Sequence, residues 1–209
     1  MSDDPITTRD RIRGAFLGTA LGDAFGRPFE GASHEDLVSS DAIAKRAGAD
    51  ESWSYSDDTE MMLGVAESIL ERGEVDPEHL IRTLARNCDP ARGHGHGTRR
   101  AFDAVRRGDP WRRAAFITWR DGSRGSGAAV RVVPVACLHH RALDRLDYAA
   151  QASAAVTHAH RIARVGTMVQ AHAVAIALTA DLETFEPGAF VERVRADLGD
   201  EPVFRDKLV

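Results

Sequence analysis

Ile12, Phe16, Ala20 and Ala24 recur every four residues, and Gly14, Gly18 and Gly22 repeat at the same spacing on a second face. A period of four lays an apolar stripe down an α-helix. Glycine costs a helix interior about 1 kcal/mol relative to alanine. Three in register therefore predict a central, buried helix packed so closely that no side chain fits. Thr7 or Thr8 stands where a cap belongs, and Gly26 and Pro28 end the helix, leaving Glu30 and Gly31 in a turn.

The helical period returns along the rest of the chain. Met61, Met62, Val65, Ile69 and Leu70 follow Asp57 up to a stop at Gly73, and Asp76-Pro77 restarts a helix through Leu80 and Leu84. A helix carrying Phe102 and Val105 follows the loop 93–97 and closes at Gly108. The segment from Val130 to Leu138 reads as helix despite Pro134, and further helices are expected over 147–156, 162–178 and 187–198. No alternating pattern supports a strand. The expectation is an all-α, compact orthogonal helical bundle forming a single domain over 1–209, a length sufficient for one core.

A hydrophobic fraction of 43% with 28% charged residues excludes a disordered chain. The net charge of −5 is uneven, since residues 92–131 hold ten arginines against Asp103, Asp109 and Asp121. Such a stretch suits an anionic ligand, a phosphate group or, as a separate reading, a nucleic acid. Cys88 and Cys137 belong to no CxxC pattern and are expected to be buried small hydrophobes, with neither a zinc site nor a disulfide. No signal-like run begins the chain and no stretch approaches about 18 consecutive apolar residues, so a cytoplasmic protein without a membrane partner is expected.

Four segments carry chemistry. Ser56-Asp57-Asp58-Thr59 opens a helix with two hydroxyls and two carboxylates, hard oxygen donors of the kind Mg²⁺ prefers; Asp57 with Glu60 also fits a plain capping box. Gly93-His94-Gly95-His96-Gly97 is weak as a histidine metal pair, because glycines leave the rings unsupported and no cysteine or acid is adjacent. Its glycines instead let backbone amides face phosphate oxygens. Gly122-Ser123-Arg124-Gly125-Ser126-Gly127 offers the same and, by opening a helix, adds the positive end of a dipole. His158, in Thr157-His158-Ala159-His160, stands between two helices as a ligand contact or as a capping residue.

Taken in order, the segments from Gly14 to Gly31, Tyr55 to Met61, Gly95 to Thr98, Gly122 to Pro134 and Thr157 to Ala159 resemble the ADP-ribosylglycohydrolases, over about Arg11 to Leu178. The resemblance implies an all-helical, Mg²⁺-dependent hydrolase cleaving the glycosidic bond between ADP-ribose and a side chain or small acceptor, with two Mg²⁺ in the family. Ser56, Asp57 and Asp58 match half of the family's metal ligands, with Ser56 where threonine is usual. Glu30 matches a glutamate beside the reacting ribose, and Asp58 or Glu30 is the expected base. Gly95, His96, Gly97, Ser123, Arg124, Gly125, Ser126, Gly127 and His158 match the substrate-binding residues, with Ser126 where asparagine is common. The family's second metal motif, Asp-x-Asp-Thr, has no counterpart after Leu178, which implies a C-terminally incomplete domain, completed by a missing segment or by a homodimer partner. The alternative is a non-catalytic module that binds ADP-ribose or a nucleotide.

Overall fold

The computed structural model describes residues 6–33, 41, 53–181, 183–197 and 202–205. Among them there is no strand, and the elements run α1 (Thr8–Gly26), a 3-10 turn (Arg27–Phe29), α2 (Asp57–Arg72), α3 (Pro77–Asn87), a second 3-10 turn (Pro90–Arg92), α4 (His96–Arg106), α5 (Trp111–Ala114), α6 (Val133–His139), α7 (Leu143–Ala155), α8 (Arg161–Thr179), α9 (Pro187–Asp197) and α10 (Pro202–Arg205). Leu198, the expected end of the ninth helix, lies outside the described residues.

Local chemistry sets the boundaries. Thr7 caps α1 in a reciprocal box with Asp10, Asp76 caps α3 by accepting from the amides of Glu78 and His79, and Gly73 ends α2 in the left-handed region at φ 76°. Pro134 is tolerated in α6 because it sits in the first turn, where its missing N–H costs nothing. Helix α6 is shorter than expected: the residues from Gly127 to Arg131 form turns, so the glycine loop at 122–127 does not open a helix and gains no dipole from one.

The core lies among α2, α3, α4, α6, α7 and α8, around Val65, Leu80, Ile81, Phe102, Val135 and Leu146. Alanines at 149, 150, 154, 171 and 175 let α7 and α8 approach closely. Helix α8 is long and apolar enough, by length and composition, to cross a membrane. In this fold it packs against α1, α6, α7 and α9, and its buried His172 bonds Asp147 of α7 and Asp197 of α9.

The expectation for α1 is overturned. None of its residues is buried, Leu17 and Leu21 are each 63% exposed, and no atom comes within 4 Å of where a Cβ would stand on Gly14, Gly18 or Gly22. Arg11 ties α1 to the bundle by donating to the Ala180 carbonyl at 2.6 Å. The close helix contact belongs instead to Gly64, where a Cβ would lie 2.9 Å from Leu84 Cδ2.

Candidate active site

The last turns of α1 bring Asp23 to the start of α2. Asp23 Oδ2 accepts from the backbone N–H groups of Ser56 (2.9 Å) and Thr59 (3.0 Å) and from the Thr59 hydroxyl (2.6 Å). Ser56 Oγ accepts from the Asp58 N–H at 3.2 Å. Ser56 and Asp23 thus satisfy the orphan amides of the helix, and the expected capping box between Asp57 and Glu60 does not form. The carboxylates of Asp57, Asp58 and Glu60 are released for other work, at the positive end of the α2 dipole.

Asp58, Asp23 and Glu30 line one cavity of about 440 Å³, and Gly18, Gly22 and Gly26 form part of its wall. The glycine face of α1 is therefore an open surface of the cavity rather than a packing seam. Burial, then the charges of Asp57, Asp23 and Glu30, push the Asp58 carboxyl up to about 7, against the opposing Arg131. Burial also raises Glu30, with Asp57 and Asp23 adding to it and Arg27 opposing. Asp57 is raised by burial first, with His94 opposing.

These shifts have a signed consequence. Asp58 binds its proton more tightly in the folded than in the unfolded chain, so its contribution to stability is complete below about 3.8 and is lost as pH rises towards about 7. Discounted for its partial exposure to solvent, the loss is on the order of 2 kcal/mol, or roughly 4–8 °C in Tm. Melting of cation-free protein across that range, compared with Asp58→Asn, checks it: the pH dependence should flatten in the variant.

Behind Asp58 runs a buried relay. Arg131 is fully buried and donates to the Ser153 carbonyl (3.1 Å) and to Thr157 Oγ1 (2.8 Å). Thr157 Oγ1 lies 2.8 Å from His158 Nδ1. With its oxygen accepting from Arg131, the hydroxyl directs its own proton to Nδ1, which leaves the ring proton on Nε2. Burial, reinforced by Arg131, pulls His158 down to about 3, so the ring is neutral. Nε2 points into the second glycine loop, where a Cβ on Gly127 would stand 3.1 Å from it and a Cβ on Gly125 3.4 Å.

The two glycine loops meet through Trp119, which no motif indicated. A Cβ on Gly97 would collide with its ring at 2.0 Å, and Trp119 lines a second cavity of about 530 Å³ with Gly122, Ser123, Arg124 and Gly125. Gly122 has φ +83° and backs onto the His160 amide, so only glycine fits there. Ser123 Oγ accepts from the Gly125 N–H at 3.2 Å, and Arg124 donates to His160 Nε2. His96 begins α4 and is exposed, and the backbone around Gly95 is open. The Ser126 carbonyl accepts from the Ala129 and Val130 amides, and its side chain takes no part in that turn.

His94, read from sequence as unsupported, is held firmly. Its side chain is fully buried between Asp57 Oδ2, 3.5 Å from Nδ1, and Glu60 Oε1, 3.1 Å from Nε2. Cys88 and Cys137 are half-buried rather than core residues. Cys88 lies with Glu60 and His94 in a candidate metal-binding group that no CxxC pattern indicated. Part of the arginine-rich stretch serves the fold: Arg92 stacks 3.9 Å over the Tyr55 ring and donates to its carbonyl, and Arg106 donates to the Ala85 carbonyl.

A family model described as ADP-ribosylglycohydrolase matches residues 4–208. The chain belongs to the ADP-ribosylglycohydrolase family. A protein of Archaeoglobus fulgidus is 33% identical over 192 residues, which are 88% of this chain and 60% of that protein. The ADP-ribosylhydrolase ARH3 of Xenopus tropicalis is 34% identical over 84% of this chain and 53% of its own length. The ADP-ribosylarginine hydrolase Tri1 of Serratia proteamaculans is 26% identical over 71% of this chain. A solved ADP-ribosylglycohydrolase-related protein complex superposes with a TM-score of 0.67 at 27% identity, covering 96% of this chain and 66% of the other. The chain spans about half to three fifths of the length of these curated relatives.

Proposed function

We propose that this ADP-ribosylglycohydrolase-family chain is a Mg²⁺-dependent hydrolase that cleaves the glycosidic bond between ADP-ribose and an acceptor. The observation that carries the reading is the convergence of Asp58, Glu30 and Asp23 on one cavity.

The residues suit a hard cation. Ser56, Asp57 and Asp58 offer only oxygen donors, the Ser56 hydroxyl keeps a lone pair beyond its bond from Asp58, and the crowded carboxylates have Arg131 as their buried counter-charge. Ser56, Asp57 and Asp58 would hold the ion, which when bound neutralises this crowding and orients ribose hydroxyls. Asp58 or Glu30 takes a proton from the attacking water, and the neighbouring carboxylates stabilise positive charge developing at the anomeric carbon. Amides of the loops at 95–97 and 123–127 face the diphosphate, and His158 donates through Nε2–H to a ligand oxygen.

The uncovered apolar side of α1, with Leu17, Leu21 and Phe25 exposed, supports completion of the domain by a further segment or by a second copy. Location in the cytoplasm belongs to the same proposal.

The test is release of ADP-ribose from ADP-ribosylated protein by the 209-residue chain with Mg²⁺. Asp58→Ala should lower turnover on the order of 10²–10⁴-fold, and Asp57→Ala should raise the Mg²⁺ requirement. Mg²⁺-independent ADP-ribose binding without turnover would instead support a non-catalytic binding module.

A further inference from the structure

His94 presents one ring nitrogen to each of two carboxylates, Asp57 on the Nδ1 side and Glu60 on the Nε2 side, and its side chain has no exposure to solvent. A neutral imidazole carries a single N–H, so one of these nitrogens turns a lone pair towards a carboxylate. Among the described residues, Nδ1 has no hydrogen-bond partner. A cation held on the Nε2 side would leave the ring proton to Nδ1, facing a carboxylate acceptor.

Cys88 supplies a third donor beside His94 and Glu60. Its Sγ, a ring nitrogen of His94 and a carboxylate oxygen of Glu60 all lie within 4.8 Å of one another. Metal bonds from sulfur, nitrogen and oxygen run about 2.0–2.3 Å, so donors at such separations close on one ion with movements of less than about one ångström. The Glu60 carboxylate is already oriented, because both of its oxygens accept from the Asp89 amide, at 2.9 and 3.2 Å. That same bond staples the residue after Cys88 to α2.

We propose that Glu60, Cys88 and His94 form a binding site for a thiophilic divalent cation of the Zn²⁺ class, separate from the hard-oxygen group at Ser56, Asp57 and Asp58. One sulfur, one nitrogen and one oxygen donor suit Zn²⁺ or Co²⁺ and disfavour Mg²⁺, which takes oxygen ligands in octahedral geometry. The ion takes the Nε2 lone pair and places the ring proton on Nδ1, where it faces Asp57. The orphaned nitrogen then becomes a donor to a carboxylate, in the manner of histidine ligands held by an outer acid. Burial pushes the Cys88 thiol up while the Arg106 guanidinium beside it favours the thiolate; binding releases the thiol proton to solvent. Because His94 joins the two groups, occupancy of the soft site orients the Asp57 carboxylate of the hard one.

The experiment is titration of the chelator-stripped 209-residue chain with Co²⁺ and Zn²⁺. A thiolate-to-cobalt charge-transfer band should appear, reach its limit at one ion per chain, survive a large excess of Mg²⁺, and persist in Asp57→Ala. It should vanish in Cys88→Ser and weaken in Glu60→Gln. Zn²⁺ should slow alkylation of Cys88 by at least about tenfold, a protection that follows from ligation of the reactive thiolate, while leaving Cys137 unchanged. This second readout uses the unaltered protein and does not depend on a variant folding. Absence of the band in the parent chain, its survival in Cys88→Ser, or equal alkylation with and without Zn²⁺ would each overturn the site.

Discussion

Replacing Asp23 with alanine is expected to lower the unfolding free energy by about 2–4 kcal/mol, because one carboxylate oxygen satisfies three donors at the start of α2. Two of those donors are backbone amides that the helix cannot satisfy itself, and Ser56 and Thr59 are both buried, so water does not replace the lost acceptor freely. Urea denaturation checks this: the midpoint should fall with the slope unchanged, since the same surface is exposed on unfolding. Asp23→Asn separates architecture from charge. It retains an acceptor oxygen and should lose less than half as much stability. It also removes one of the charges that raise Asp58, so the Asp58 carboxyl should titrate lower than in the parent chain. An alanine variant as stable as the parent would show that Asp23 does not hold α1 to α2.

Arg131→Met is expected to cost about 3–5 kcal/mol, the range for removing one partner of a buried charged network. Burial pulls Arg131 down to about 10, against the attraction of Asp57 and Asp58, so it is charged at neutral pH. Methionine fills much of the volume but leaves the Ser153 carbonyl and Thr157 hydroxyl without their donor and the acidic cluster without its buried counter-charge. Asp58 should then bind its proton more tightly still. The Thr157 hydroxyl is freed to turn, so the Nε2–H form of His158 should lose its dominance. Denaturation measures the first effect and nitrogen chemical shifts of the His158 ring the second. Arg131→Lys keeps the charge but not the planar guanidinium whose Nη2 serves both acceptors, and should cost less than Arg131→Met. A His158 ring unchanged in Arg131→Met would remove the relay from consideration.

Much of this chain could be read from local pattern. The starts and stops of α1, α2, α3 and α4 follow from Thr7, Asp76-Pro77, Gly73 and Gly108, residues whose effect is exerted within one turn of themselves. The site motifs were legible because oxygen donors at 56–58 and glycines at 95–97 and 122–127 are unusual in sequence wherever they point. What escaped were residues whose role depends on a distant partner. Asp23 is separated from Ser56 by 33 positions, Arg131 from Thr157 by 26 and His94 from Glu60 by 34. Trp119 belongs to no pattern and still joins the two glycine loops.

The glycine register of α1 shows the division most sharply. Gly14, Gly18 and Gly22 determine by themselves that one helix face carries no side chains, but a bare face serves close packing and an open cavity wall equally well. Only the placement of α1 beside Asp58 and Glu30 makes it the wall of a cavity. In the same way, the sequence alone determined that Asp57 and Asp58 begin a helix, since Ser56 caps it from the adjacent position, while the distant Asp23 completes the cap. Their protonation was decided by tertiary structure, because a carboxyl's affinity for its proton depends on burial and on charges that only folding brings within reach.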